Sequence, residues 1–185
     1  MEAGGIRIVI RAELAGARIP VQVDVGFGDA TVPPPVAVEF PTLLNTPKPK
    51  LLAYPPETVI AEKLEAMVRL GLANSRMKDF FDIWHLAQAY PFEGELLAGA
   101  IHATFTARNT PLPTDRVTAL TSKFSEDPGK RIQWNAFVQQ AAVVETTPSL
   151  PEVVAGIGDF LGPLLASFPA KSPVPKNWRP KQGWI

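Results

Sequence analysis

Apolar and polar residues alternate along the first part of the chain. Between residues 6 and 14 apolar residues occupy every second position, and residues 19–27 alternate again, with valines on one face and Gln22 and Asp24 on the other. Alternation of this kind is typical of half-buried strands, and the short link between the two runs indicates an antiparallel hairpin. Asp24 is therefore predicted to point away from a valine core, toward an open face.

A helical period begins after Pro55 and Pro56, which suit the start of a helix. The first helix is predicted over residues 57–70, with an apolar and a polar side. The apolar side holds Ile60, Leu64, Met67 and Gly71, and the polar side holds Glu62, Glu65 and Arg69. Lys63 breaks this pattern because it projects between apolar positions, where an ammonium group is seldom left without an anionic partner.

A second helix is predicted to follow Ser75, a suitable N-cap, and it carries two carboxylates toward its inward side. Asp79 lies within the apolar stripe and Asp82 at its border, so both can point the same way. The stripe consists of Phe80, Ile83, Leu86, Ala87 and Tyr90. Since the link between the helices is short, we expect antiparallel neighbours in which Lys63 faces Asp79. The pattern leaves two interpretations open, a structural ion pair and a functional site.

The rest of the chain has the pattern of further helices and a proline-rich end. A short strand is expected at residues 36–40, and helices near residues 93–107, 114–124, 131–144 and 150–168. Trp178 and Trp184 are expected to pack the final segment on the bundle or on a partner, and secondarily to contact nucleic acid. The expected fold class is α+β, with a small antiparallel sheet (residues 1–54), a mainly helical bundle (residues 55–168) and a proline-rich tail (residues 169–185).

Composition narrows the classes of function. The 18 basic and 18 acidic residues balance, so no global field attracts nucleic acid. Cysteine is absent, which excludes disulfides, thiol catalysis and cysteine-bound zinc. The start lacks a cationic leader and no unbroken apolar run approaches about 20 residues, so the chain is expected to be cytoplasmic and to have no membrane partner.

The charged helices resemble a known family. The segment ETVIAEKLEAM followed by RMKDFFDIWHLA, with the upstream strand VQVDVGFGD, is similar to the AbiEii/AbiGii-type nucleotidyltransferase toxins, which have a polymerase-β-like core. The resemblance implies that Asp24 binds metal, that Lys63 is the active-site lysine, and that Asp79, with Asp82 behind it, is the acidic motif that follows. It also implies Mg²⁺ as cofactor, an NTP as substrate and a setting in toxin–antitoxin or phage-defence systems.

One part of the family pattern does not occur in the chain. Members begin with a Gly-Gly or Gly-Ser turn and a helix, followed by an Asp-x-Asp or Asp-x-Glu strand, whereas Gly4 and Gly5 are followed by neither. Because magnesium in nucleotidyl transfer takes several oxygen ligands, Asp24 alone leaves the metal site incomplete. We therefore expect a truncated nucleotidyltransferase that corresponds to the C-terminal portion of such an enzyme. A homodimer, a separate N-terminal half or an antitoxin is its expected partner.

Three functions fit these observations. The first is a nucleotidyltransferase component that transfers a nucleotide from an NTP to a hydroxyl acceptor such as an RNA end. The second is a catalytically inactive binding module derived from that family. The third is a helical scaffold in which the charged pair fixes helix register. Magnesium-dependent NTP binding separates the third from the first.

Overall fold

The computed structural model describes residues 5–141 and 147–185, and the chain forms two compact units, Met1–Ala30 and Thr31–Ile185. Small antiparallel sheets and a larger set of helices make up the chain. The predicted α+β class is confirmed.

The first unit is the predicted hairpin. Strands β1 (Gly5–Leu14) and β2 (Ala17–Gly26) pair antiparallel, with Ile8 opposite Val23. Ala15 and Gly16 turn the chain with φ of 49° and 81°, as a two-residue turn that follows strand twist requires. The valines do not form the predicted core, because Val23 on the apolar face is 43% exposed.

The second unit opens with a shorter hairpin. Strand β3 (Val36–Glu39) confirms the strand predicted near residues 36–40, and it pairs antiparallel with β4 (Lys50–Ala53). The loop between them is closed at its base by the Phe40 amide, which donates to the Pro49 carbonyl at 2.9 Å. Strand β4 leads directly into the first helix.

The two predicted charged helices are present as α1 (Pro56–Leu70) and α2 (Met77–Ala89). Three details of the prediction are wrong. Glu65, assigned to the polar side of α1, has no exposed surface, and Tyr90, assigned to the apolar stripe of α2, is 49% exposed. Ser75 is not the N-cap, because α2 begins at Met77 after Arg76, and the Asn74 side chain accepts from the Arg76 amide at 2.8 Å instead.

The remaining α-helices in the described part of the chain are α3 (Gly94–Ala107), α4 (Ser122–Ser125), α5 (Pro128–Gln140) and α6 (Leu150–Ala170). The helix predicted over residues 114–124 is wrong, since a 3-10 turn (Thr118–Leu120) and the four-residue α4 replace it. Thr121 is extended between them and its hydroxyl donates back to the Thr118 carbonyl at 2.7 Å, which competes with a continuous helix. The end of the helix predicted over residues 131–144 extends past the described range.

Helix α6 runs through the core. By length and composition it is the one described helix that could cross a membrane, yet Val153, Ile157 and Phe160 on its inner face are fully buried. Its start is a capping box, in which the Ser149 amide donates to the Glu152 carboxylate at 2.7 Å. The packing of this inner face identifies α6 as a core helix.

Three short strands close the fold beside the helices. Strands β5 (Phe92–Glu93), β6 (Asn177–Arg179) and β7 (Gly183–Trp184) form an antiparallel sheet. The indole of Trp178 donates to the Ala87 carbonyl at 2.7 Å, and that of Trp184 donates to the Phe160 carbonyl at 2.8 Å. The expectation that the indoles pack the final segment on the bundle is confirmed.

Candidate functional site

Lys63 lies between two aspartates of the neighbouring helix. Its Nζ atom is 2.8 Å from Asp79 Oδ1 and 2.8 Å from Asp82 Oδ2. The aspartates are three residues apart on α2, so both carboxylates reach the same face. The exposed fractions of the three side chains are 18%, 13% and 21%. The predicted contact between Lys63 and Asp79 is confirmed, and Asp82 joins it directly.

The charge balance keeps Lys63 protonated. Burial by itself lowers the pKa of an ammonium group, but the hydrogen bonds and charges of Asp79 and Asp82 together outweigh that effect. The pKa of Lys63 is therefore raised above its ordinary value of 10.5. Lys63 is thus a cation near neutral pH, suited to bind an anion or to stabilise developing negative charge rather than to act as a base.

Other basic side chains reach the same aspartates. Lys78 Nζ is 2.6 Å from Asp82 Oδ2, and Arg76 Nη1 is 3.6 Å from Asp79 Oδ2. The second Asp79 oxygen is buried and has no hydrogen-bond partner among the described residues. The Arg76 side chain is 59% exposed and the Lys78 side chain is 72% exposed, against 18% for Lys63. Arg76 and Lys78 therefore have more room than Lys63 to rearrange when a ligand arrives.

A second cationic group comes from the end of α3. Arg108 Nη2 is 3.2 Å from Glu62 Oε1, and Arg108 Nη1 is 3.3 Å from Glu65 Oε2. Glu62 and Glu65 flank Lys63 in the α1 sequence, so the same helix positions all three groups. The sequence reasoning missed Arg108, which lies 45 residues beyond Lys63. Its one local signal is the Arg-Asn-Thr turn that follows α3.

These groups surround an open pocket of about 350 Å³. Its volume is at the lower end of the range for small-ligand sites. Its lining consists of Val59, Glu62, Lys63, Arg76, Asp79 and Arg108. Three cations against two carboxylates give the lining a net positive charge, which favours an anionic ligand such as a phosphate chain.

Asp24 belongs to the first unit and is paired within it. Arg7 Nε is 2.6 Å from Asp24 Oδ1, Arg7 Nη2 is 3.2 Å from Oδ2, and the Gln22 amide donates to Oδ2 at 2.9 Å. The hydrogen bond from Arg7 is the main reason that the pKa of Asp24 is lowered. Asp24 lies on the polar face, as predicted.

The described residues do not provide a donor set for magnesium. Within residues 5–141 and 147–185, no group of three or more His, Cys, Asp or Glu side chains is placed to hold a metal ion. Both oxygens of Asp24 accept hydrogen bonds from Arg7. Metal binding by Asp24 stays a prediction, and a ligand set for it would need carboxylates beyond those brought together here.

Comparison with known proteins places the chain in a family. Residues 2–156 match the family described as the nucleotidyl transferase AbiEii toxin of type IV toxin–antitoxin systems. Comparisons with curated proteins and with solved structures gave no match. The matched range contains both charged helices and is much more than half of the chain. The chain therefore belongs to the AbiEii nucleotidyl transferase toxin family.

Proposed function

We propose that the protein transfers a nucleotide from an NTP to a hydroxyl acceptor such as an RNA end. The observation that carries the proposal is Lys63, which two aspartates hold at 2.8 Å at the edge of a net positive pocket. Family membership supports nucleotidyl transfer and implies an antitoxin partner. The identity of the NTP and of the acceptor belongs to the proposal.

In the proposed reaction the acceptor hydroxyl oxygen forms a bond to the α-phosphorus of the NTP. The bond from that phosphorus to the bridging oxygen breaks, pyrophosphate leaves, and the hydroxyl proton passes to a base. Lys63 would stabilise the charge that develops on the phosphate oxygens. Asp79 would orient Lys63 or accept the proton, and Asp82 would support Lys63 from behind. Arg76 and Arg108 would contact the phosphate chain.

The family resemblance implies magnesium, which would stabilise charge on the transferring phosphate when bound. Because the described carboxylates do not form such a site, we propose that a second polypeptide contributes the remaining ligands beside Asp24. A separate N-terminal half and a second copy of this chain are the two proposed contributors. The Arg7 guanidinium would have to release Asp24 for this to occur.

The test is a transfer assay with radiolabelled NTPs, magnesium and an RNA acceptor. It is run on the protein alone and with a candidate N-terminal half that contains an Asp-x-Asp strand. The expected result is labelled RNA, formed only with the complementing half if that half supplies the ligands, and formed by the protein alone if a second copy supplies them. No transfer in either condition would contradict the proposal.

Lys63→Met removes the central cation and keeps an unbranched side chain that is one atom shorter. It is expected to lower transfer at least about 100-fold, the size of one lost electrostatic contact to a reacting phosphate. Lys123→Met is the matched control, because Lys123 is exposed on α4 and is not among the pocket residues. Equal activity of the two variants would remove Lys63 from the reaction.

A further inference from the structure

The turn after α3 brings two side chains to one buried carboxylate. The Thr110 amide donates to the Phe105 carbonyl at 2.9 Å, and Asn109 has a left-handed φ of 51°. Asparagine tolerates this conformation better than most residues. The turn directs the Thr110 hydroxyl to Glu65 Oε1 at 2.7 Å and Arg108 Nη1 to Glu65 Oε2 at 3.3 Å.

Glu65 holds Arg108 in a fixed position. Its side chain has no exposed surface, and Arg69 Nε donates to Oε1 at 3.0 Å in addition to the Thr110 bond. A buried carboxylate held by several donors is costly to displace, because its partners would lose a charged acceptor. Arg108 pairs with both Glu65 and Glu62 of α1, and the pair with Glu65 is therefore the harder one to break.

Glu62 is placed differently although it contacts the same guanidinium. It lies in the pocket lining, its side chain is 25% exposed, and its Oε1 atom is 3.2 Å from Arg108 Nη2. Phosphate oxygens accept from a guanidinium in the same way as carboxylate oxygens do. An anion that enters the pocket can therefore replace Glu62 at Arg108 without disturbing Glu65.

We propose that the two glutamates have opposite effects on ligand binding. Glu65 is a positioning residue that keeps Arg108 at the pocket, and Glu62 occupies the guanidinium until the phosphate groups of the ligand displace it. The ligand class rests on the proposed function, which supplies the NTP. The free energy of exchanging the Glu62 carboxylate for phosphate at Arg108 therefore contributes to the affinity of the pocket for its substrate.

The test is calorimetric titration of the full chain with inorganic triphosphate, and separately with an NTP and magnesium. Glu62→Gln is expected to bind triphosphate about three- to fivefold more tightly, the size typical of one partly exposed charge. Glu65→Gln is expected to bind it about tenfold more weakly, because Arg108 loses its fixed partner. A purely structural role predicts that both substitutions weaken binding or that neither matters.

Two further variants keep the test decisive. Glu152→Gln is the matched control, because Glu152 lies on α6, accepts hydrogen bonds from the N-cap residue Ser149 and is not in the pocket lining. This variant should bind triphosphate as tightly as the unmodified chain. Thr110→Val serves if Glu65→Gln does not fold, as judged by circular dichroism. It removes one bond to Glu65 and should weaken binding about two- to threefold.

The outcomes separate this inference from the proposed function. Opposite changes in Glu62→Gln and Glu65→Gln without any nucleotide transfer support the inference and contradict the function. Transfer by the unmodified chain with changes in the same direction supports the function and overturns the inference. No triphosphate binding by the unmodified chain overturns the inference as well.

Discussion

At the residue scale, the positive charge of Lys63 offsets the repulsion between the carboxylates of Asp79 and Asp82. Asp79 and Asp82 each lie 2.8 Å from its Nζ atom, and all three side chains are mostly buried. Two aspartates this close repel each other unless a cation lies between them. The contact that we propose for function therefore also stabilises the fold, and experiments must separate the two roles.

Lys63→Met is expected to lower the free energy of unfolding by about 2–4 kcal/mol, since it leaves two partly buried charges without their shared cation. The measurement is urea unfolding followed by circular dichroism. Lys63→Arg keeps the positive charge, so it should lower the free energy of unfolding by less than half as much as Lys63→Met does. Lys63→Met combined with Asp79→Asn should recover part of the loss, and an additive further loss would show that the carboxylates do not interact through Lys63.

The raised pKa of Lys63 gives a pH dependence with a defined sign. A group whose pKa is higher in the folded state contributes its full stability below the unfolded value, and the contribution is lost as the pH rises through the folded value. The difference in unfolding free energy between the unmodified chain and Lys63→Met should therefore be constant from about pH 6 to 9 and shrink above about pH 10.5. Urea unfolding at each pH measures it, and a difference that shrinks already near pH 7 would contradict it.

Sequence alone predicted this residue-scale contact only in part. Lys63 and Asp79 could be paired because each interrupts an apolar stripe and a short link joins their helices. Glu65 could not be placed, because helical period assigns it to a polar side, whereas its partners Arg108 and Thr110 arrive from a turn more than 40 residues away. Periodicity shows which face of a helix is polar, but it does not show which distant polar groups cover that face.

At the element scale, the end of α3 decides where Arg108 lies. Asn109 holds the turn open with φ of 51°, a conformation that costs most residues about 1–2 kcal/mol. Asn109→Val is expected to lower the free energy of unfolding by at least about 1 kcal/mol and to weaken triphosphate binding, since β-branched residues are rarely found there. Asn109→Gly is the matched control.

Thermal unfolding and calorimetric titration measure the two effects. Glycine adopts the left-handed region without strain, so Asn109→Gly should bind triphosphate like the unmodified chain. Equal binding by Asn109→Val and Asn109→Gly would show that the turn does not position Arg108.

The secondary-structure elements could be predicted where the helical spacing of apolar residues agrees with residues that favour a helix start. Prolines precede α1 and α6, each has a long apolar face, and their predicted ranges lie within two residues of the observed ones. The region after Pro113 was mistaken for one helix because its apolar spacing is helical. The backbone instead follows the Thr121 hydrogen bond, a local competition that periodicity does not record.

At the scale of the whole molecule, the last strands connect α2 to α6. The indole nitrogen of Trp178 donates to the Ala87 carbonyl at the end of α2, and the Trp178 ring centroid lies 4.8 Å from the Phe160 ring centroid on α6. Residues 157–185 lie beyond the range that matches the family, yet Trp178 in this segment is buried and bonds to the helix that carries Asp79 and Asp82. Their contribution to the site is therefore indirect and passes through the stability of α2.

Substitutions at Trp178 test whether the last strands affect ligand binding only through the stability of α2. Trp178→Ala is expected to lower the free energy of unfolding by about 3–5 kcal/mol, because a large ring that is 6% exposed leaves a cavity. Trp178→Phe keeps most of the ring but leaves the Ala87 carbonyl without its indole donor, and should cost about 1–2 kcal/mol. Tyr90→Phe is the control, since Tyr90 is 49% exposed and its substitution should change little.

Urea unfolding gives the three stabilities, and triphosphate titration at a temperature where each variant is folded gives the affinities. If the last strands act only through stability, folded Trp178→Phe binds triphosphate as tightly as the unmodified chain. A weaker affinity at full folding would mean that the position of α2, and with it the spacing between Asp79 and Lys63, depends on the indole hydrogen bond. In that case the affinity of the pocket for triphosphate would depend on β6 and β7 as well as on α1 and α2.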